Sequence, residues 1–502
     1  MSAVPCPMKI KMRKYALMVF GGLIAASGFQ AGEGSNIVPF GDKGAVKMLY
    51  DARQRPQAVY LNDQVFLVYN GDARMRNTNN SKRKSESVPM ALRYDPKSRT
   101  LSSPVILSEN YSSDHHDGPV VWADTNDRLH VFYGWHHDLG THIVSDQPMG
   151  IGSSHDDWSE STAPSQKMSY QWTRRIHDER QLVFYRTDGH YSSWTYRISS
   201  DNGVTWNGPA QDVLDLDIHL GKDTDWSTYT AKEISRDGRY LHLAFVAYDD
   251  YKRPVSAEEK ASGELDERRM QNPLYDHRVP SNYKYNLYYV KIDLQTHEVV
   301  NDKGEMLQTP IDRATANSKC MIWDTKWRGG GVPPSIWVDE NDEVSFLHNL
   351  SDVHHEESLS YHYVRRVKGE WAQTRITGSN HHWNSGLLSR SQNGSLHAYV
   401  PTGEGYLDVK GDMDRYGGGR VEEWVSQDQG YTWRKRRELF PSGKQYPSWK
   451  YNNVQAVRRP KGTVVDGMLI FYGWRDPVNP VAQAFLLHGE QRAYSRASAD
   501  SR

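Results

Sequence analysis

Cysteine is almost missing from this chain: 502 residues hold two, Cys6 and Cys320. Cys6 falls in or before an N-terminal leader, so Cys320 stands alone and an internal disulfide framework is excluded. Long apolar runs are also missing. The longest, Tyr15 to Ala26, is about half of the roughly 20 residues that span a bilayer. No Pro/Ser-rich linker or low-complexity stretch divides the chain, which favours one large repeat fold over a string of domains. An excess of one charge sign is lacking as well, with 61 Lys+Arg against 62 Asp+Glu.

The apolar run follows Lys9, Lys11, Arg13 and Lys14 and ends in the small residues Ala25-Ala26-Ser27-Gly28. That order is the one a secretory signal has, so residues 1–31 are expected to be a leader, with residues 32–502 a secreted or periplasmic protein that leaves no membrane segment behind. Losing the leader removes four basic and no acidic residues, which turns 61 against 62 into 57 against 62. A nucleic-acid partner is disfavoured by this balance. A polyanionic substrate would need a local basic groove.

Aromatic residues are abundant, with 16 Trp and 30 Tyr. One unit recurs: an apolar strand, a tight Asp/Asn/Gly turn, and a second strand rich in aromatics. The turns are Asn62-Asp63, Asn126-Asp127, Asp178-Glu179, Asp237-Gly238, Asn341-Asp342, Asn393-Gly394 and Asp466-Gly467. Residues that tolerate positive φ at such turns favour short hairpins between twisted strands. Seven hairpins, each with room for two further strands, predict an all-β, seven-bladed β-propeller, expected as a monomer. Two segments, Ser199-x-Asp201-x-Gly203-x-Thr205-Trp206 and Ser426-x-Asp428-x-Gly430-x-Thr432-Trp433, match the Asp-box turn and are read as structural. The charged stretch from Tyr251 to Asn282 breaks the rhythm as an insertion.

The hairpin geometry nominates a site. His116 and His136 lie about ten residues before and after the Asn126-Asp127 turn, and Tyr170 and Arg186 about eight either side of Asp178-Glu179. In each hairpin these positions meet at one sheet edge, and Tyr229 joins from the next unit. Strand alternation then turns the neighbouring His115 and His137 to the other face.

The runs Asp114-His115-His116-Asp117-Gly118-Pro119, Leu129 to His136, Ser169-Tyr170 and Phe184-Tyr185-Arg186 resemble the BNR-repeat propellers that include the ulvan lyases. The resemblance implies β-elimination on a uronate-containing, sulfated polysaccharide, an acidic partner. It implies proton transfer by His116 and Tyr170, neutralisation of the uronate carboxylate by Arg186, and substrate contacts from His136, Tyr229 and Arg174. No cofactor is implied for catalysis. It also raises a structural zinc, for which Cys320, His277 and His381 offer suitable ligands.

Three rival readings stay open on the sequence. A sialidase shares the Asp-box. Another glycoside hydrolase could use two carboxylates among Asp114, Asp117 and Asp138. A non-catalytic carbohydrate-binding propeller could stack sugars on Trp122, Trp135, Trp172 or Trp226.

Overall fold

Strands in this protein are apolar on both faces where each sheet is covered on both sides by its neighbours. Val120–Ala123 and Gln181–Arg186 are buried at every residue. In the computed structural model the described residues form six sheets, antiparallel but for one contact, that make up a β-propeller. The structure describes residues 37–41, 49–77, 83–190, 192–218, 226–249, 284–326, 328–351, 358–403, 417–439, 449–474 and 482–489. The expected leader, the Tyr251–Asn282 insertion and His277 lie outside them.

Four sheets have four strands each. One of them runs Val120–Ala123, Leu129–Tyr133, Thr141–Ser145, Trp158–Glu160. The next is built on Lys167–Arg175, Gln181–Arg186 and Trp194–Ser199 and takes its fourth strand, His136–Leu139, from the connection that precedes it, with His136 opposite Ser169. A nine-stranded sheet joins the two ends of the chain, because Ile37–Phe40 pairs with Ala482–His488. In each sheet Trp, Tyr, Phe and branched aliphatic side chains fill the space to the neighbouring sheet, as Trp122, Phe132, Trp135, Met168, Val183 and Tyr185 do between the two sheets just described.

Six of the expected turns join paired strands. Leu61 pairs with Gln64 across Asn62-Asp63, both residues at positive φ (44° and 62°), the geometry that matches strand twist. The seventh differs. Asp466-Gly467 lies inside the strand Val464–Trp474, and the chain reverses between Arg458 and Val464. There Pro460 sets the bend and Gly462 takes φ 94°, a value that costs glycine nothing. Gly467, also at positive φ, sits where the strand passes Gly489 closely.

Both Asp-boxes close with the same bonds. Asp201 Oδ1 accepts from the Thr205 amide (2.9 Å) and Oδ2 from its hydroxyl (2.6 Å), and Asp428 repeats both distances with Thr432. Trp206 then packs edge-on to Trp122 of the preceding sheet. Trp122, Trp135, Trp172 and Trp226 are themselves buried, so none offers a face to a sugar.

Candidate active site

Asp114 organises one rim of the molecule. It caps the single 3-10 turn His115–Asp117, its Oδ1 accepting from the His116 amide (2.9 Å) and from His116 Nδ1 (2.6 Å). Its Oδ2 accepts from His136 Nδ1 at 2.8 Å. Both imidazoles therefore carry their proton on Nδ1 and present Nε2 as an acceptor, an assignment that follows from the hydrogen-bond pattern. The two rings stack with centroids 4.1 Å apart.

Strand alternation fails for His115. A 3-10 turn advances each side chain by about a third of a revolution where a strand reverses it. The His115 ring accordingly stays on the site, 3.8 Å from that of His116, with Nε2 3.6 Å from Asp51. The side chain of His137 is outside the described residues.

Tyr170 reaches the site through a bulge. The register against Gln181–Arg186 shifts between Ser169 and Trp172, and Tyr170 adopts φ 59°. A tyrosine in that region stores strain of about 1–3 kcal/mol, which bulges beside functional sites often hold in order to re-aim a side chain. The Tyr170 hydroxyl lies 3.1 Å from that of Tyr229 and 3.5 Å from His136 Nε2.

Two guanidiniums bracket the phenols. Arg186 lies over the Tyr170 ring (4.7 Å to the centroid) and near that of Tyr229 (5.6 Å), donating Nε–H to the Asp188 carbonyl at 3.4 Å. It is fully buried against both rings. Arg53 lies 4.6 Å from the Tyr170 centroid and 5.0 Å from that of Tyr229. Its Nε and Nη2 are held by Asp51 at 2.7 and 2.5 Å, and Nη2 also donates to His116 Nε2 at 2.8 Å. The Lys284 ammonium faces the rings of Tyr229, Tyr248 and Trp383 at 4.9, 5.0 and 4.7 Å.

These neighbours set the protonation states. Burial, with His115 and Arg53 nearby, holds His116 well below the usual imidazole range despite its bond to Asp114. His115 is held at about 4 by burial, with Asp51 opposing. Asp114 stays ionised because its bonds from the two imidazoles outweigh its burial. Within the phenol pair, burial favours the neutral form of both, but Arg53, Arg186 and the hydrogen bonds from Tyr170 and Tyr248 bring Tyr229 below the ordinary tyrosine value. Tyr170 is raised, by burial and by the neighbouring Tyr229 oxygen, so the pair gives up its first proton at Tyr229.

The structure thus gathers His116, His136, Tyr170, Tyr229 and Arg186 in one cluster. It leaves Arg174 out of that cluster. Four residues beyond Tyr170, roughly 13 Å along the strand, Arg174 stacks on Trp172 and meets Glu233 at 3.6 Å on a separate cavity. The sequence reasoning missed Arg53, Asp51 and Lys284 as members, and named Asp114 only as a carboxylate for a hydrolase. Arg53 had a signal: it stands about nine residues before the Asn62-Asp63 turn, the same offset that selected His116 and Tyr170.

Two sets here have metal-like spacing, Asp51–His115–His116 and Asp114–His116–His136. The Arg53 guanidinium, bonded to the shared His116 and to Asp51, would repel a divalent cation at either. Of the residues named for zinc, His277 lies outside the described residues. Cys320 is fully buried with its thiol pushed up to about 12 by burial, near Asp302 and Lys319. His381 stacks on His382 and accepts from the Trp383 amide at 3.1 Å. Their surroundings differ. Of the three carboxylates named for a hydrolase, Asp114 is committed to two imidazoles, Asp138 is exposed, and Asp117, which accepts from the Ser112 hydroxyl at 2.5 Å, is pushed up to about 6 by burial.

Comparison with known proteins adds to this geometry. The model of the BNR repeat-containing family matches residues 72–379. The chain is 24% identical over 254 residues to an ulvan lyase of Nonlabens ulvanivorans, covering 47% of this chain and 48% of that protein. It is 23% identical over 231 residues to the Ulvan Lyase-PL25 of Pseudoalteromonas sp. (strain PLSV), covering 42% of each. These matches span about half the length of the curated relatives. Among solved structures, a PL25 ulvan lyase bound to -[GlcA(1-4)Rha3S]- superposes with a TM-score of 0.68 at 16% identity, over 90% of this chain and 96% of that one. The polysaccharide lyase Uly1 gives 0.58 at 10% identity, over 90% and 98%. At these identities the superpositions establish the fold.

Proposed function

The chain belongs to the BNR repeat-containing family, and from that premise we propose that it is a polysaccharide lyase that cleaves a uronate-containing, ulvan-like sulfated polysaccharide by β-elimination. One observation carries the reading: a phenol pair 3.1 Å apart, bracketed by two guanidiniums, stands beside a neutral histidine oriented by a carboxylate. The identity of the relatives as ulvan lyases supports the substrate class.

The C5 proton of a uronate is too weakly acidic to be removed until the adjacent carboxylate is neutralised. Arg53 is the cation suited to this, because its bond to His116 is a contact that an arriving carboxylate can replace with a charge-assisted one. The exchange frees the His116 Nε2 lone pair. His116 takes the C5 proton, the C5–H electrons become the C4=C5 double bond, and the C4–O4 bond breaks. Tyr170 gives its proton to the departing O4 and recovers one from Tyr229. The negative charge ends on the Tyr229 oxygen, between Arg53 and Arg186, while the imidazolium of His116 is balanced by Asp114. Proton return from His116 to the phenol pair resets the site. In this scheme Arg186 acts on the phenolate and His136 orients Tyr170.

The fold extends the reading to seven blades. Splitting the nine-stranded sheet at its one parallel contact, Val59 to Arg458, yields two four-stranded units plus the short strand Val105–Ile106. The other five sheets make up the remainder.

Incubation with ulvan, followed by near-ultraviolet absorbance, tests the activity. A lyase leaves a conjugated unsaturated uronate, and a hydrolase or a binding protein leaves none. Absence of the signal across sulfated and unsulfated uronate polymers would overturn the proposal.

A further inference from the structure

The strands that carry the rim cluster also wall a cavity of about 90 Å³. Lining it are Arg55, Arg174, Lys232 and Arg458, with the single carboxylate of Glu233, besides Arg53, whose charge Asp51 already meets. Glu233 takes Arg458 Nη2 at 3.0 Å and Arg174 Nη2 at 3.6 Å. The buried Nε of Arg174 has no hydrogen-bond partner. Arg55 gives Nε–H to the Ala52 carbonyl at 3.1 Å, and the Lys232 ammonium bonds the Thr230 hydroxyl at 2.9 Å. Neither contact brings a countercharge.

A cation buried without countercharge is expensive. Arg174 and Lys232 are buried, Arg55 and Arg458 half-buried, and an anion among them would supply charge that Glu233 alone does not. Burial and mutual repulsion show in their ionisation. Arg55 and Arg174 are each brought down to about 10, by burial first and by Arg458, and Lys232 to about 7 by burial and Arg55. Planar guanidinium forks converging on one space match the oxygens of a tetrahedral anion. The volume, several times the roughly 10–15 Å³ that one water needs, admits such an ion.

We infer that this cavity binds a free tetrahedral oxyanion, inorganic sulfate or phosphate, between Arg55, Arg174 and Arg458. The site is independent of the lyase reading.

Thermal unfolding of the full chain in rising sodium sulfate, at ionic strength held constant with sodium chloride, tests it. A saturable rise in Tm of roughly 2–5 °C is expected, since a ligand that binds only the folded state stabilises it. Arg55→Gln, which removes a cation that has no carboxylate partner, should move the midpoint to at least about tenfold higher sulfate. Glucose 6-sulfate, which carries the same anion on a sugar, tests the commitment to a free ion and should give no shift. Crystals of the wild-type protein in selenate give a readout that does not depend on any variant folding, with an anomalous peak expected between the three arginines. An unchanged midpoint in Arg55→Gln, an equal response to glucose 6-sulfate, no response to sulfate, or selenate found only elsewhere would each overturn the inference.

Discussion

The rim cluster and the cavity share the strands Lys167–Arg175 and Trp226–Ile234, and both set cations against aromatic rings, yet they differ in the oxygens that stand beside those cations. At the rim, Arg53 and Arg186 lie against the faces of Tyr170 and Tyr229, whose π-electrons and ionisable oxygens answer the cations. In the cavity, Arg174 and Arg458 share the carboxylate of Glu233, and Arg55 lines the same space with its Nε–H on a backbone carbonyl. A cation beside a phenol lowers the cost of a phenolate and so serves proton transfer. A cation beside other cations calls for an external anion. One pair of strands thus supports a chemical site at one end and a binding site a few residues further on.

Changes at the rim should be the most damaging. Tyr170→Phe deletes one hydroxyl and keeps the ring on which Arg53 and Arg186 stack. Turnover on ulvan should fall by about 10²- to 10⁴-fold, the usual value of general acid–base assistance, with the fold intact by circular dichroism. His116→Ala should cost about as much. Near wild-type rates in both folded variants would remove the rim from the chemistry. Because burial keeps His116 neutral far below the usual imidazole range, the wild-type rate should also persist below pH 6 until the protein unfolds.

The two arginines should separate from each other. Arg53→Lys keeps a charge but cannot hold Asp51 at two points while reaching His116, so kcat/KM should drop by about 10²-fold. Arg186→Lys acts only through the phenols, and about tenfold is expected. A less well placed cation raises the Tyr229 ionisation, which weakens the acid at neutral pH. It also moves the alkaline limb of the rate profile up by about one unit, since the acid must be protonated to work. An unshifted alkaline limb would show that Arg186 does not act on the phenolate.

Most of the fold and the ring and imidazole members of the site were legible in the sequence. Turn chemistry is local: Asn62-Asp63 and both Asp-boxes hold their own bonds within a few residues, so pattern alone locates them. The Asp466-Gly467 turn misled because a glycine at positive φ serves a bulge as readily as a hairpin. His115 was misplaced because the 3-10 turn that presents it depends on the Asp114 cap, which a period-two reading does not include. Arg186 appeared at the right sheet edge, but the Tyr170 bulge that sets the ring against it is a backbone irregularity that composition does not announce. Arg174 was drawn to the rim by its strand and lies at the strand's other end.

The cavity can be separated from the rim by Lys232→Met, whose effect should be the smallest and should appear in stability rather than turnover. Lys232 is buried against the rings of Phe184 and Trp194, bonds Thr230, and shares the cavity wall with Arg55, Arg174, Arg458 and Glu233. Its folded-state value of about 7 is depressed from 10.5, first by burial and then by Arg55. Between those values the unfolded chain holds a proton that the native chain lacks, so this group's contribution to stability rises with pH through the window and is flat below it. Met keeps the apolar stem and has no such slope. Urea unfolding should therefore show the variant gaining on the wild type as pH falls from 8 to 7, by roughly 1 kcal/mol, with no further gain below pH 6.5. Saturating sulfate should shrink that gain, because a bound anion holds Lys232 protonated at lower cost. A stability difference independent of pH would mean that the ammonium is already compensated in the free protein, and the contrast with the rim would then rest on the arginines alone.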